Sequence, residues 1–165
     1  MSAANRSTFV YTTFIRTTPE KLWEALTEPR FIRSYWFGTT AECDWKRGSP
    51  WKLVGSDGGV TDTGEILEVE PPRRMVIRWL NEWKPELKAE GPGRCTFELE
   101  PVGRAVKLTI THEIDRPNSK LITAVSGGWP GVLSNLKSLL ETGEIAIAEM
   151  RPHALRAEEG VRTRV

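Results

Sequence analysis

The spacing of hydrophobic residues changes three times along this chain, and the changes mark its elements. Phe9 to Arg16 is rich in β-branched and aromatic residues and is stopped by Thr17-Thr18-Pro19, which reads as a strand. The period then becomes helical. Thr18 is placed to cap a helix with Pro19 at its first position, and Leu22, Ala25 and Leu26 fall at i, i+3 and i+4 with Trp23 on the flank. Pro29 ends that helix and opens a second short one, with Phe31, Ile32, Tyr35 and Trp36 on its apolar side and Gly38 as its stop.

From Thr39 to Glu113 the period is that of strands, punctuated by glycine and proline. The segments are Ala41 to Trp45, Trp51 to Gly55, Thr63 to Glu70, Met75 to Trp83, Cys95 to Glu100 and Val106 to Glu113, with Gly48-Ser49-Pro50, Ser56-Asp57-Gly58-Gly59 and Pro101-Val102-Gly103 as turns. Alternation puts Met75, Ile77 and Trp79 on one face, then Cys95, Phe97 and Leu99, then Val106, Leu108, Ile110 and His112. A sheet with one apolar and one polar face is antiparallel and needs a cover on its apolar side.

The cover is the third helical stretch, Ser119 to Thr142. Leu121, Val125, Gly128, Trp129, Val132, Leu133, Leu136, Leu139 and Leu140 follow its spacing, and Gly143 stops it. Gly127-Gly128-Trp129-Pro130-Gly131 interrupts the run, and Pro130 cannot donate to the preceding turn, so a kink or a restart is expected there. The two glycines read either as a loop between shorter helices or as small residues that let the helix pass close to the sheet or leave space beside it. Residues 144–165 form a tail, apolar at Ile145-Ala146-Ile147-Ala148 and charged beyond.

Composition narrows the function. Lys plus Arg number 23 against 22 acids, so no global field favours nucleic acid or an anionic membrane. No apolar stretch approaches the roughly 20 residues of a membrane span. Met1 to Arg6 lacks the apolar run of a secretory signal, and Cys43 and Cys95 read as free thiols, which together predict a cytoplasmic location. Seven tryptophans beside two histidines suit the wall or core of an apolar chamber better than a metal site.

The order strand, two short helices, six strands and long helix resembles the START-like (SRPBCC) helix-grip fold, and within it the homologues of the activator of heat-shock-protein ATPase. The resemblance covers residues 8–143, leaving 144–165 as a charged tail. Four stretches carry it: Ala25-Leu26-Thr27-Glu28-Pro29 followed by Tyr35-Trp36; Gly64 through Val69 to Pro71-Pro72-Arg73-Arg74; Leu108-Thr109-Ile110-Thr111-His112-Glu113; and Gly128-Trp129 through Leu136 to Gly143. It implies an α+β fold in which a curved antiparallel sheet wraps the long C-terminal helix, with two short helices after the first strand and an apolar cavity between sheet and helix. Residue parity supplies the expected lining: Trp36, Trp51, Leu53, Met75, Ile77, Trp79, Phe97, Ile110 and His112, with Val125, Trp129, Val132 and Leu133 from the helix. A packed core would use the same residue types.

Catalytic readings have little to stand on. His112 is the only histidine within the fold and its parity aims it inward; Asp62, Glu65 or Glu82 could orient it as a general base, but a lone inward histidine more often has a structural role. A pairing of His112 with Cys43 or Cys95 is conceivable in such a fold, though nothing local marks a thiolate site. His112 and His153 are far apart and no Cys-x-x-Cys or His-x-x-x-His is present, so no metal and no cofactor are expected. Ser56-Asp57-Gly58-Gly59 lacks the lysine and spacing of a nucleotide loop. The expectation is a monomeric or homodimeric protein that holds a small hydrophobic or aromatic molecule. The alternative is an interaction module related to chaperone ATPase activators, with a chaperone or another protein as partner, and below it stands a cyclase- or hydrolase-like enzyme.

Overall fold

The computed structural model describes residues 5–149. The elements run β1 (Ser7–Ile15), α1 (Pro19–Thr27), α2 (Pro29–Tyr35), β2 (Thr40–Cys43), β3 (Pro50–Val54), β4 (Val60–Glu70), β5 (Arg74–Asn81), α3 (Pro85–Lys88), β6 (Gly93–Val102), β7 (Ala105–Ile114) and α4 (Lys120–Thr142). The strands form one antiparallel sheet in the order β1-β7-β6-β5-β4-β3-β2. The curved sheet, the long last helix and the short helices after β1 make this the α+β helix-grip fold. Most of the tail expected over 144–165, His153 included, lies outside the described residues.

The sheet's inner face carries the residues that alternation assigned to it. Val106, Leu108, Ile110 and His112 on β7 are all fully buried, while Lys107, Thr109, Thr111 and Glu113 between them are half-exposed. On β5 the outward Val76 is buried as well, because it lies directly opposite the buried Thr96 on β6 and the pair cover one another. Leu121, Ile122, Trp129, Val132, Leu133 and Leu136 of α4 supply the other side of the core.

The entry into α1 follows its sequence. Thr18 accepts a hydrogen bond from the Lys21 backbone N–H at 3.2 Å, Pro19 begins the helix, and Leu22, Ala25 and Leu26 are buried. Thr18→Ala is expected to cost about 1 kcal/mol through the lost cap, and Leu22→Ala roughly 2–5 kcal/mol as a buried truncation. Chemical denaturation of the two variants reads the difference. Equal, negligible losses would mean that α1 is not docked on the core. The Tyr35 hydroxyl donates to the Ala25 carbonyl at 3.0 Å and ties α2 to α1.

Of the kink or restart expected in α4, the restart does not occur: one helix runs from Lys120 to Thr142 through Pro130. Proline removes a backbone bond and crowds the preceding turn at a cost of about 3 kcal/mol. Burial of Trp129, Val132, Leu133 and Leu136 over the same two turns outweighs that cost. The helix is also secured at both ends. Ser119 Oγ accepts from Ile122 N at 3.1 Å, and the Glu90 carboxylate accepts from Ser119 Oγ, Lys120 N and Leu121 N at 2.6, 2.8 and 3.2 Å. Gly143 closes the other end with φ 88°, the left-handed geometry of a helix stop.

Beyond that stop the chain turns back onto the domain. Asn135, fully buried in α4, accepts from the backbone N–H groups of Ala146 and Ile147 at 2.9 and 2.7 Å. Its amide donates to the carbonyls of Ile147 at 2.9 Å and Tyr35 at 3.4 Å. One side chain thus joins α4, the end of α2 and the segment after the helix.

Candidate functional site

An aromatic cluster lies between α4 and the middle of the sheet, and Gly64 is the reason it can form. Gly64 on β4 pairs with Trp51 on one side and Trp79 on the other, so three residues stand in a row across three strands. With no side chain in the middle, the two indoles meet above β4, their ring centroids 4.5 Å apart. Trp36, at the C-terminal end of α2, packs on Trp79 and Trp129, with ring centroids 6.4 and 5.3 Å away. Trp129 makes edge contacts with Trp79 and Phe97, each at 5.8 Å. Edge-on and tilted arrangements are the geometries aromatic rings prefer.

The two innermost indoles have committed their N–H groups. Trp129 Nε1 donates to His112 Nδ1 at 3.1 Å, and Trp79 Nε1 donates to Asp62 Oδ2 at 2.8 Å. Because His112 accepts at Nδ1, its proton sits on Nε2, a buried atom with no hydrogen-bond partner. Burial lowers the His112 pKa to about 3, so the imidazole is neutral. None of Asp62, Glu65 and Glu82 orients it. Asp62 serves Trp79, Glu65 pairs with Arg78 at 3.3 Å, and Glu82 accepts from Thr63 Oγ1 and pairs with Lys88 at 2.9 Å. Cys95 is directly opposite His112 on β6, but it is fully buried and burial pushes its thiol well up, away from a reactive thiolate. Among the described residues no group of three His, Cys, Asp or Glu side chains could hold a metal ion.

Beside the cluster a groove of about 350 Å³ opens between the first half of α4 and the strands β3 to β5. Trp36, Trp79 and Trp83 give it aromatic walls, Leu53, Leu87, Leu121 and Val125 its apolar floor, and Asp62 and Asn81 a polar end. Gly128 borders it, and a Cβ at that position would meet no atom within 4 Å. Of the alternatives for the two α4 glycines, the structure realises the one in which small residues leave space beside the helix. A recess of about 90 Å³ continues from the groove between Trp36, Trp79, Val125, Gly128, Trp129 and Val132. Burial raises the Asp62 carboxyl above its ordinary value, opposed by the polar side chains of Thr61, Trp79 and Asn81 and reinforced by the nearby Glu82 charge.

The expected lining residues therefore divide. Trp36, Leu53, Trp79 and Val125 border the groove, and Trp129 and Val132 the recess. Trp51, Met75, Ile77 and Phe97 surround a void of only about 20 Å³ beneath α2, far below the roughly 300–1,000 Å³ of a ligand site. Ile110, His112 and Leu133 are buried core residues that border none of these spaces. The polar end is not part of the lining that parity supplies: the sequence offers Asp62 as a partner for His112, and Asn81, Thr61 and Leu87 carry no signal of their own.

Together these features define a START-like helix-grip protein whose chamber is mostly filled with aromatic rings and whose remaining space lies along α4. The family model described as Activator of Hsp90 ATPase homolog 1-like protein matches residues 16–141, and the chain belongs to that family. No curated protein matches the sequence. Among solved structures it is similar to protein MLL2253 from Mesorhizobium loti, with 27% identity over 84% of this chain and 100% of that one and a TM-score of 0.71. It is similar also to ChR145 from Cytophaga hutchinsonii, at 29% identity over 83% of this chain and 95% of that one, with a TM-score of 0.67. A third, solved as the Aha1 dimer from Colwellia psychrerythraea, shares the fold at 20% identity and a TM-score of 0.66, covering 83% of this chain and 98% of that one.

Proposed function

We propose that this protein is a cytoplasmic binding protein that holds a small hydrophobic or aromatic molecule in the groove between α4 and strands β3 to β5. One observation carries the reading: the groove of about 350 Å³ walled by Trp36, Trp79 and Trp83. Ligand sites are concave, mostly apolar, roughly 300–1,000 Å³ in volume, and carry a few placed polar groups. Asp62 and Asn81 are such groups. The free thiols of Cys43 and Cys95 suit the reducing location. The site residues in this reading are Trp36, Leu53, Trp79, Val125, Trp129 and Val132, as the sequence led one to expect, joined by Asp62, Asn81, Trp83 and Gly128. His112 holds Trp129 in place from behind.

A panel of planar aromatics, fatty acids and flavonoids, titrated against tryptophan fluorescence, tests this. Trp36 and Trp79 in contact with ligand should give saturable quenching by at least one class. Uniform absence of saturable quenching would remove the reading in favour of the interaction module. That second reading has its own observation. β1 is a sheet edge and exposes Val10 and Phe14 at 56% and 49%, a surface of the kind partner proteins cover.

A further inference from the structure

We infer that the groove selects flat-ring ligands bearing a nitrogen with hydrogen to donate, a protonated amine above all, with Asp62 accepting from the nitrogen and the indoles of Trp36 and Trp79 taking the ring. The inference rests on the groove being the binding site and names the chemistry it takes.

Trp79 Nε1 donates to Asp62 Oδ2 at 2.8 Å, whereas the Thr61 hydroxyl donates to the Leu53 carbonyl at 3.5 Å. The Asn81 carbonyl oxygen accepts from the Lys84 backbone N–H at 2.9 Å. The Trp79 N–H is the one side-chain donor the geometry places on Asp62 among the described residues. A carboxylate offers about four lone-pair positions, so acceptor positions on Asp62 are left. A ligand donor fills that capacity and a ligand carbonyl or carboxylate does not.

Charge points the same way. Asp62 is only 9% exposed and belongs to no ion pair among the described residues. Lys84 borders the groove too but holds its ammonium 4.9 Å from the Trp83 ring centroid, and Lys88 pairs with Glu82. A buried carboxylate without a counter-charge is costly, and the cost disappears when a cation arrives. Burial raises the Asp62 pKa, the expected sign for a carboxylate still lacking such a partner. The aromatic walls add to this, because the face of an indole attracts a cation within about 6 Å of its centroid. Trp79 is both a wall of the groove and a donor to Asp62, which puts ring surface and carboxylate side by side.

Three ligands with one ring separate the terms: tryptamine, indole and indole-3-propionate, which are cationic, neutral and anionic at pH 7.5. Calorimetric titration should find tryptamine bound at least about tenfold more tightly than indole, with indole-3-propionate the weakest. The variant Asp62→Asn keeps an oxygen for the Trp79 N–H and should fold, which thermal unfolding checks. It should bring tryptamine to within about threefold of indole and leave indole unchanged. If indole binds but Asp62→Asn weakens tryptamine no more than indole, or if the anion binds best, the inference is overturned while the groove remains the site. If none of the three binds at millimolar concentration, the inference is overturned, while the groove reading stands or falls separately on the panel of planar aromatics, fatty acids and flavonoids.

Discussion

Lowering the pH from 7 to 4 is expected to remove roughly 3 kcal/mol of folding stability through His112 alone. In the folded protein burial lowers its pKa to about 3, against an ordinary value of 6.5 in the unfolded chain. Below the ordinary value the unfolded chain binds a proton that the folded protein refuses, so stability falls with pH. The contribution is fully present above pH 6.5 and is lost progressively as pH falls towards 3. Other groups act in different windows. Hydrogen bonds hold Glu82 and Glu141 below the usual carboxylate value, and at Glu90 such bonds outweigh burial; their contributions fade only as pH falls through those depressed values. Asp62 has the opposite sign, since its raised value favours the folded protein in acid. Urea unfolding from pH 7.5 to 4 on wild type and His112→Asn isolates the histidine. The variant should be less stable at neutral pH, where its packing is imperfect, and should lose much less on acidification. Parallel pH profiles would mean that His112 is protonated in the folded protein and that its contact with Trp129 differs from the one described.

Gly64→Ala is expected to cost at least about 3 kcal/mol, an unusual loss for adding one methyl group. A Cβ there would collide with the carbonyl oxygen of Arg78 and press the Trp51 ring, so the backbone of β4 or β5 has to move. Trp51 and Trp79 meet across this position, and their displacement should also loosen the groove wall. Gly128→Ala is the control: its Cβ meets open space, and it should be neutral or should stabilise α4 by up to about 1 kcal/mol. Thermal unfolding of the two variants reads the contrast. A mild Gly64→Ala would show that the strands relax around the added atom without loss.

The fold was legible because each element carried its own local signal. Thr18-Pro19 opens α1, alternation sets the inner faces of β6 and β7, and Gly143 ends α4, each through a local rule that the tertiary structure does not override. Pro130 is the exception. A local rule expects a kink or a restart there, and the helix does not restart, because burial of the residues around Pro130 is a property of the assembled core and not of sequence spacing. The site was less legible, for a related reason. Parity tells which residues face inward but not whether they meet one another or leave a space. Trp51, Met75, Ile77 and Phe97 face inward and fill, whereas Trp36, Trp79 and Val125 face inward and leave room. Asp62 and Asn81 stood near the ends of strands read as Thr63 to Glu70 and Met75 to Trp83, where boundary errors obscure parity. The pairing of Asp62 with Asn81 across β4 and β5 is visible only once the register is known. Asn135 likewise reads as an interruption in an apolar helix face until the segment it binds folds back on it.

If the groove beside Gly128 is where this protein takes its ligand, Gly128→Leu should block it, because the new side chain enters space that is empty in the wild type and leaves the core contacts of α4 in place. Calorimetric titration of wild type and Gly128→Leu with the best ligand of the aromatic panel should find binding in the first and at least about a thirtyfold loss in the second. Thermal unfolding should differ by only a few degrees between them. Equal affinity in the two proteins would contradict the account and move the ligand to another surface.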